Sequence, residues 1–208
     1  MNKPFFGVDL SHWNRIQDFE KASKEVDFVI LKAGGSDRGF YKDKTFEEKY
    51  TMFHDVWSKP TGVYYFVGKN CISYQDGIED AKRLLQIIKG KKFEYPIVID
   101  LEATATKNKK GATDAVIGFK NCIESFGYYA MVYASDISGF YDRLELSRLD
   151  NIDKWVARYG SQPKIVKKYG IWQYSSTGRI NGIMGAVDLD YSYKDYTSIM
   201  KKAHLNGF

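Results

Sequence analysis

Asp100 and Glu102 end an apolar run, Tyr95–Glu102 (YPIVIDLE). Read as a strand, that run puts residues two apart on one face, so both carboxylates point the same way and Leu101 points opposite. Two like charges at the end of a buried strand repel each other and lose solvation, which raises at least one pKa. A carboxylic acid still protonated near neutral pH is what protonating a glycosidic oxygen requires. Taken alone, such a pair can equally cap a loop or bind backbone amides. Its place after Ile97, Val98 and Ile99, with further acids on the first and last predicted strands, favours chemistry. Those further acids are Asp9 in FFGVDL and Asp188 with Asp190 in VDLDYS, both near predicted strand ends. Asp188 and Asp190 share a face; only one need reach a site, and the other can be a structural cap.

Other site chemistries find little support. The three histidines, His12, His54 and His204, are scattered, with no HExxH and no His/Cys cluster, so zinc hydrolysis is not indicated. His12 reads as structural, although it could stand near Asp9. There is no GxSxG elbow, and Gly34–Gly35 is neither a P-loop nor a dinucleotide fingerprint. Cys71 and Cys122 form no CxxC pair and read as buried free thiols. Sixteen Tyr, thirteen Phe and four Trp make the chain rich in aromatics. Most belong to a core, but Trp13, Tyr64, Phe66, Tyr133, Trp155, Tyr159 and Trp172 fall where sugar rings could stack on them.

The acids need a scaffold that gathers distant strand ends. The 208 residues are 44% hydrophobic, enough for a packed core, and the net charge of +5 is spread along the chain. Without a Lys/Arg block, nucleic-acid binding is poorly supported; an anionic wall polymer or a plain soluble surface fits as well. No apolar stretch approaches the roughly 20 residues of a membrane span, and no secretory signal opens the chain. Synthesis in the cytoplasm, with release by another route, is expected.

Strand and helix patterns alternate. Phe5–Leu10, Asp27–Gly34, Thr61–Gly68, Tyr95–Glu102 and Tyr128–Ser135 read as strands. Between them lie helical patterns: Ile16, Phe19 and Ala22; a helix with Thr45 as N-cap and Glu48 completing a capping box; a helix from Ser73 to Gly90; and a helix capped by Thr113 and closed by Gly127. A short helix is expected near Asp136–Leu144. Lys154–Gly160, Tyr169–Ser175 and Gly185–Tyr191 then read as strands with little helix between, and a short helix through Lys201 and Lys202 closes the chain. Five βα units and three more strands would close an α/β barrel as one domain over residues 1–208, with an open doubly wound sheet as the alternative. In such barrels catalytic groups gather at the C-terminal ends of the strands.

With the motifs in order, the chain resembles glycoside hydrolase family 25, the Chalaropsis-type lysozymes of phage endolysins and bacterial autolysins. GVDLSHW, VILKAGG, GVYYF, PIVIDLE, VYAS, WVARYG, GIWQYSSTG and VDLDYS carry the resemblance. It implies a flattened TIM-like (β/α)5(β)3 barrel and N-acetylmuramidase action on peptidoglycan: retaining hydrolysis of the β-1,4 bond between N-acetylmuramic acid and N-acetylglucosamine. By motif, Glu102 resembles the general acid/base, and Asp9, Asp100 and Asp188 resemble the other three acids. Lys32, Tyr64, Phe66, Tyr133, Trp155 and Gln173 fall in motifs that line the sugar groove. Tyr65 stands where many members have His, a departure that bears on one wall of that groove. The family implies no metal and no organic cofactor. The expected partner is the peptidoglycan strand, with no nucleic acid and no membrane insertion, and the expected state is a monomer. Relatives often continue into cell-wall-binding repeats, so this chain can be the catalytic module of a longer protein. The rival readings are a chitinase-like glycosidase, a noncatalytic glycan-binding module on the same barrel, and a metal-dependent deacetylase.

Overall fold

In the computed structural model, which describes residues 3–104 and 106–208, the apolar runs become strands that close into a ring. β1 (Phe5–Leu10) pairs in parallel with β2 (Phe28–Gly35). β4 (Thr61–Phe66), β5 (Ile97–Asp100), β6 (Ala130–Ser135), β7 (Asp153–Ala157) and β8 (Ile171–Gly178) follow, each parallel to the one before. β9 (Val187–Ser192) lies antiparallel between β8 and β1 and completes the barrel. A two-residue strand, β3 (Tyr41–Lys42), is added antiparallel to the end of β2.

The barrel matches the expected closed architecture, but its last strand differs in direction. The segment from Gly178 to Val187 is too short for a crossover, so β9 must return antiparallel. Asp188 therefore lies near the start of β9, not near its end as expected from the sequence, and the reversal is what brings that start to the C-terminal mouth of the others.

Helices α1 (Phe19–Glu25), α2 (Phe46–Tyr50, continued by a π-helical turn), α3 (Tyr74–Ile88) and α4 (Lys109–Ser125) cover the outside. The fifth crossover is reduced to a π-helical turn, Asp136–Tyr141, and a 3-10 turn, Leu146–Arg148; the next helix is α5 (Tyr196–Ala203). Contact between α3 and α4 is close enough to require glycine. A Cβ on Gly77 would lie 1.9 Å from the carbonyl oxygen of Ala115, and one on Gly118 would lie 2.1 Å from that of Tyr74.

One expected helix start holds without its capping bond, and one differs. Thr45 is the N-cap of α2 as expected, but its side chain makes no capping bond: its N–H and hydroxyl donate to Asp43 (2.9 and 2.8 Å), and the hydroxyl oxygen accepts from the Lys49 ammonium (3.0 Å). α4 begins before Thr113, at Lys109, where Asn108 accepts from the Gly111 N–H; Thr113 lies inside the helix and donates to the Lys109 carbonyl. Ser73 caps α3 as expected, accepting from the Asp76 N–H. Cys71 and Cys122 are buried free thiols.

Alternation along the strands produces two cores. Val8, Leu10, Val29, Leu31, Val63, Ile97 and Ile99 face outward against the helices. Phe28, Ile30, Tyr64, Val98, Met131, Tyr133, Trp155 and Ile171 fill the barrel. α5 plugs one end with Tyr196 and Met200, and there Asp153 accepts from Tyr129, Tyr196 and Lys194. At the other end the inward positions turn from aromatic to acidic. Among the described residues no helix is long and apolar enough to cross a membrane.

Candidate active site

Inward alternation delivers the acids. On β1, Asp9 faces the interior between outward Val8 and Leu10; on β5, Asp100 follows Val98 inward, and Glu102 continues the same face just past the strand. Asp9 and Asp188 are direct neighbours across the β1/β9 ladder. A cavity of about 250 Å³ opens at this mouth, and all four predicted acids line it, together with Lys32, Tyr64, Phe66, Tyr133, Trp155 and Gln173. The four acids and these six groove residues expected from the motifs thus share one cavity.

Sequence reasoning did not single out Ser11, which also lines the cavity, and it named Trp13 and Tyr159 only as aromatics that could stack on sugar. Period two, carried past the strand ends, reaches two of them: Ser11 lies two residues beyond Asp9, and Tyr159 two beyond Ala157. Trp172 lies outside the cavity, its indole N–H held by the Arg158 carbonyl at 2.8 Å. Tyr65 is fully buried on the outer face, its hydroxyl toward Asp80, so its departure from the family pattern does not alter the groove wall as the sequence led one to expect.

Depth sorts the acids. Glu102 is exposed and Asp188 half-buried, whereas Asp9, Asp100 and Asp190 are buried. Burial, with the charge of Glu102 and a hydrogen bond shared with it, pushes the Asp100 carboxyl well above the ordinary carboxylate range; only the Lys32 charge opposes this among the main influences. Burial and the neighbouring Asp188 raise Asp9 in the same way, and burial with Glu102 raises Asp188. Asp190 is raised by burial and by Asp9, although Trp155 donates its indole N–H to it at 2.7 Å. Of this pair on β9, Asp188 lines the cavity and Asp190 does not; Asp190 sits deeper, with no exposed surface.

Gln173 is oriented by its neighbours. Its Oε1 accepts from the hydroxyls of Tyr133 (2.9 Å) and Tyr159 (3.0 Å), so its Nε2 must face Asp9, to which it donates at 2.7 Å. Burial and the surrounding acids raise the Tyr133 and Tyr64 phenols, which keeps both as donors. Trp155 packs against Tyr133 with ring centroids 4.5 Å apart and walls the acids from below. His12 is structural, as expected: its ring and its N–H both bind Asp43 (2.9 and 3.0 Å), which fixes the loop that carries Ser11 and Trp13. Among the described residues, no group of three or more His, Cys, Asp or Glu is arranged to hold a metal ion.

An exposed acid beside a buried one whose carboxyl is pushed above the ordinary range, in an aromatic-walled cavity at a barrel mouth, is equipment for acid-assisted cleavage of a glycosidic bond. Residues 8–183 match the model of Glycosyl hydrolases family 25. The chain belongs to glycosyl hydrolase family 25.

Within family 25 the chain is 27% identical to the autolytic lysozyme of Clostridium acetobutylicum over 186 residues, which is 88% of this chain and 54% of that protein. It therefore spans about half the length of that relative. Among solved structures it is similar to the CTP1L endolysin, with a TM-score of 0.81 and 25% identity over 95% of this chain and 70% of the other. It is also similar to the modular autolysin LytC of Streptococcus pneumoniae, solved in complex with a synthetic peptidoglycan ligand, with a TM-score of 0.77 and 25% identity over 91% of this chain and 46% of that one. The family 25 fold accounts for the closed eight-stranded barrel, and the family assignment makes this chain a glycoside hydrolase.

Proposed function

We propose that this chain is the catalytic barrel of a lysozyme: an N-acetylmuramidase that hydrolyses the β-1,4 bond between N-acetylmuramic acid and N-acetylglucosamine in peptidoglycan, with retention of configuration. The observation that carries this reading is the pairing of exposed Glu102 with buried Asp100 at the cavity mouth, facing Asp9 and Asp188. Glu102 protonates the leaving oxygen and then, in the second step, removes a proton from the attacking water. The nucleophile is the substrate's own N-acetyl oxygen, with Asp100 orienting the acetamide. Two features favour this over direct attack by a carboxylate. The Asp100 carboxyl lines the cavity, and among the described residues its Oδ1 has no partner, so the group keeps hydrogen-bonding capacity for a substrate amide. Asp9 is held back by Gln173 and raised by burial, which makes it a poor nucleophile. Lys32, Tyr64, Phe66, Tyr133, Trp155 and Gln173 form the walls that hold the sugar.

The test is digestion of purified peptidoglycan by wild type and Glu102→Gln, with borohydride reduction and mass spectrometry of the fragments. New reducing ends on N-acetylmuramic acid are expected from the wild type, with a loss of roughly 10²–10⁴-fold in the variant. Reducing ends on N-acetylglucosamine would overturn the bond assignment. An active Glu102→Gln would overturn the acid/base assignment. Binding of glycan without cleavage by the wild type would instead indicate a glycan-binding module.

A further inference from the structure

The acidic cavity does not stop at its rim. Trp13, Lys32 and Phe66 line it on one side and, on the other, help to line a second cavity of about 540 Å³ beside the segment between β2 and α2. The two cavities carry opposite charge. The second presents Lys32, Arg38, Lys42 and Lys44 against two carboxylates, Asp37 and Asp43.

Both carboxylates are already engaged. Asp43 is buried and accepts from the backbone N–H groups of His12 and Thr45, the Thr45 hydroxyl and the His12 ring. Asp37 accepts from the Tyr41 hydroxyl at 2.8 Å and lies 3.4 Å from the Arg38 Nε. The cations are less fully matched. Lys42 pairs with Glu47, but among the described residues neither Lys32 nor Lys44 has a carboxylate within 4.0 Å. The Lys32 ammonium instead lies over the Phe66 ring, 4.6 Å from its centroid, on the boundary between the cavities. Arg38 keeps 81% of its side chain in solvent. A ligand lying across the rim would thus meet acids at one end and, at the other, Lys44 without a carboxylate partner among the described residues and Arg38 largely in solvent.

The geometry points to this second cavity as a subsite for a carboxylate-bearing peptide substituent on the sugar strand. This rests on the muramidase reading, in which every second sugar carries a lactyl ether that can be extended by a short acidic peptide. A neutral ring occupies the acidic cavity, and the charged substituent reaches past Lys32 to Arg38 and Lys44. The enzyme then distinguishes charged from uncharged substituents of the same size.

The experiment uses soluble disaccharide-peptide oligomers in two forms, one with free peptide carboxylates and one with those carboxylates converted to amides. Wild type is compared with Arg38→Gln/Lys44→Gln, a pair of exposed positions outside the catalytic cavity. Wild type should show a KM about fivefold to tenfold lower for the free-carboxylate form at equal kcat, as expected for two solvent-exposed ionic contacts. The preference should shrink at 0.5 M salt, where the Debye length is only about 4 Å. The double variant should treat both forms alike and keep the wild-type kcat on the amidated form. Affinity for both forms is also measured on Glu102→Gln protein through tryptophan fluorescence, with Trp13 at the rim as reporter. Equal affinity of this protein for both forms, or a double variant that weakens both equally, would overturn the subsite. A wild type that binds with the charge preference but cuts neither form would overturn the muramidase reading and leave the subsite standing.

Discussion

Replacing Asp100 with Asn should cost activity and increase stability, and the gain should depend on pH. Asp100 is 3% exposed, and among the described residues its Oδ1 has no hydrogen-bond partner. Burial and the charge of Glu102 raise its carboxyl well above the ordinary range in the folded state. In the unfolded chain it titrates normally. A folded pKa above the unfolded one means that the group favours folding most below the unfolded pKa, and that this contribution is lost as pH rises through the folded pKa. At pH 8 the folded protein must hold either a buried charge beside Glu102 or a proton that the unfolded chain would release; asparagine has the same shape and needs neither.

Relief of one such site is worth about 1–2 kcal/mol. For a chain of this size each kcal/mol moves Tm by about 2–4 °C. Asp100→Asn should therefore melt about 2–8 °C above wild type at pH 8, with a distinctly smaller difference at pH 4. Activity should fall by roughly 10²-fold, the typical effect of losing one preorganised transition-state contact. Calorimetric melts at both pH values, with turnover of cell-wall suspensions, check both parts. An equal Tm shift at pH 4 and pH 8, or a lower Tm at pH 8, would refute the claim that Asp100 is a strained, proton-holding carboxyl.

Two other changes probe the scaffold. Gly77→Ala forces a Cβ to within 1.9 Å of the Ala115 carbonyl, so α3 and α4 must separate; a loss of about 1–3 kcal/mol is expected, read as a lower Tm with kcat unchanged below the transition, and a shift under about 1 °C would mean that the helices part freely. Asp136→Ala removes a carboxylate that burial would raise but that the N–H groups of Val166, Lys164 and Ile165, with Arg158, pull below the usual range. That stabilisation is present above the unfolded pKa and is lost as pH falls through the folded one, so Asp136→Ala should destabilise by about 2–4 kcal/mol at pH 7 and much less at pH 3. KM should also rise, because Arg158 adjoins Tyr159 in the cavity wall; an unchanged KM would separate that loop from the site.

Much of the site was legible because period two and strand-end position are both written in the residues. Asp100 and Glu102 after Ile97–Ile99 required only that the run be a strand, and Lys32 lies inward on the same face as Phe28 and Ile30. Strand direction was not legible from residue types, since an antiparallel VDLDYS reads like a parallel one. The signal lay in the short connection before Val187, which leaves no room for a crossover. The capping bond at Thr45 is absent for a different reason. Thr45 stands at the expected N-cap position, but its hydroxyl donates to Asp43, held by His12 from the β1 loop, and accepts from the Lys49 ammonium instead of a helix N–H. A tertiary contact overrode a local preference, and only the fold reveals such contacts.

The same register explains why the acids can coexist at all. Asp190 stands opposite Gly7 in the β1/β9 ladder, where the missing side chain leaves room for the Phe28 ring; a Cβ there would lie 2.4 Å from it. Below that layer the barrel is aromatic and sealed by α5, so the acids have water on one side only. From the floor upward, Asp190 is held by Trp155, Asp9 by Gln173, Asp188 is half-buried and Glu102 is exposed. Each step outward restores solvation, so burial pushes the carboxyls of Asp9, Asp100 and Asp190 above the ordinary range, while Glu102 lies exposed at the cavity mouth where substrate and water reach it. The buried acids are thus what make Glu102 different from its neighbours. Neutralising a deep member such as Asp190 should change the pH profile of activity even though it lines no part of the cavity.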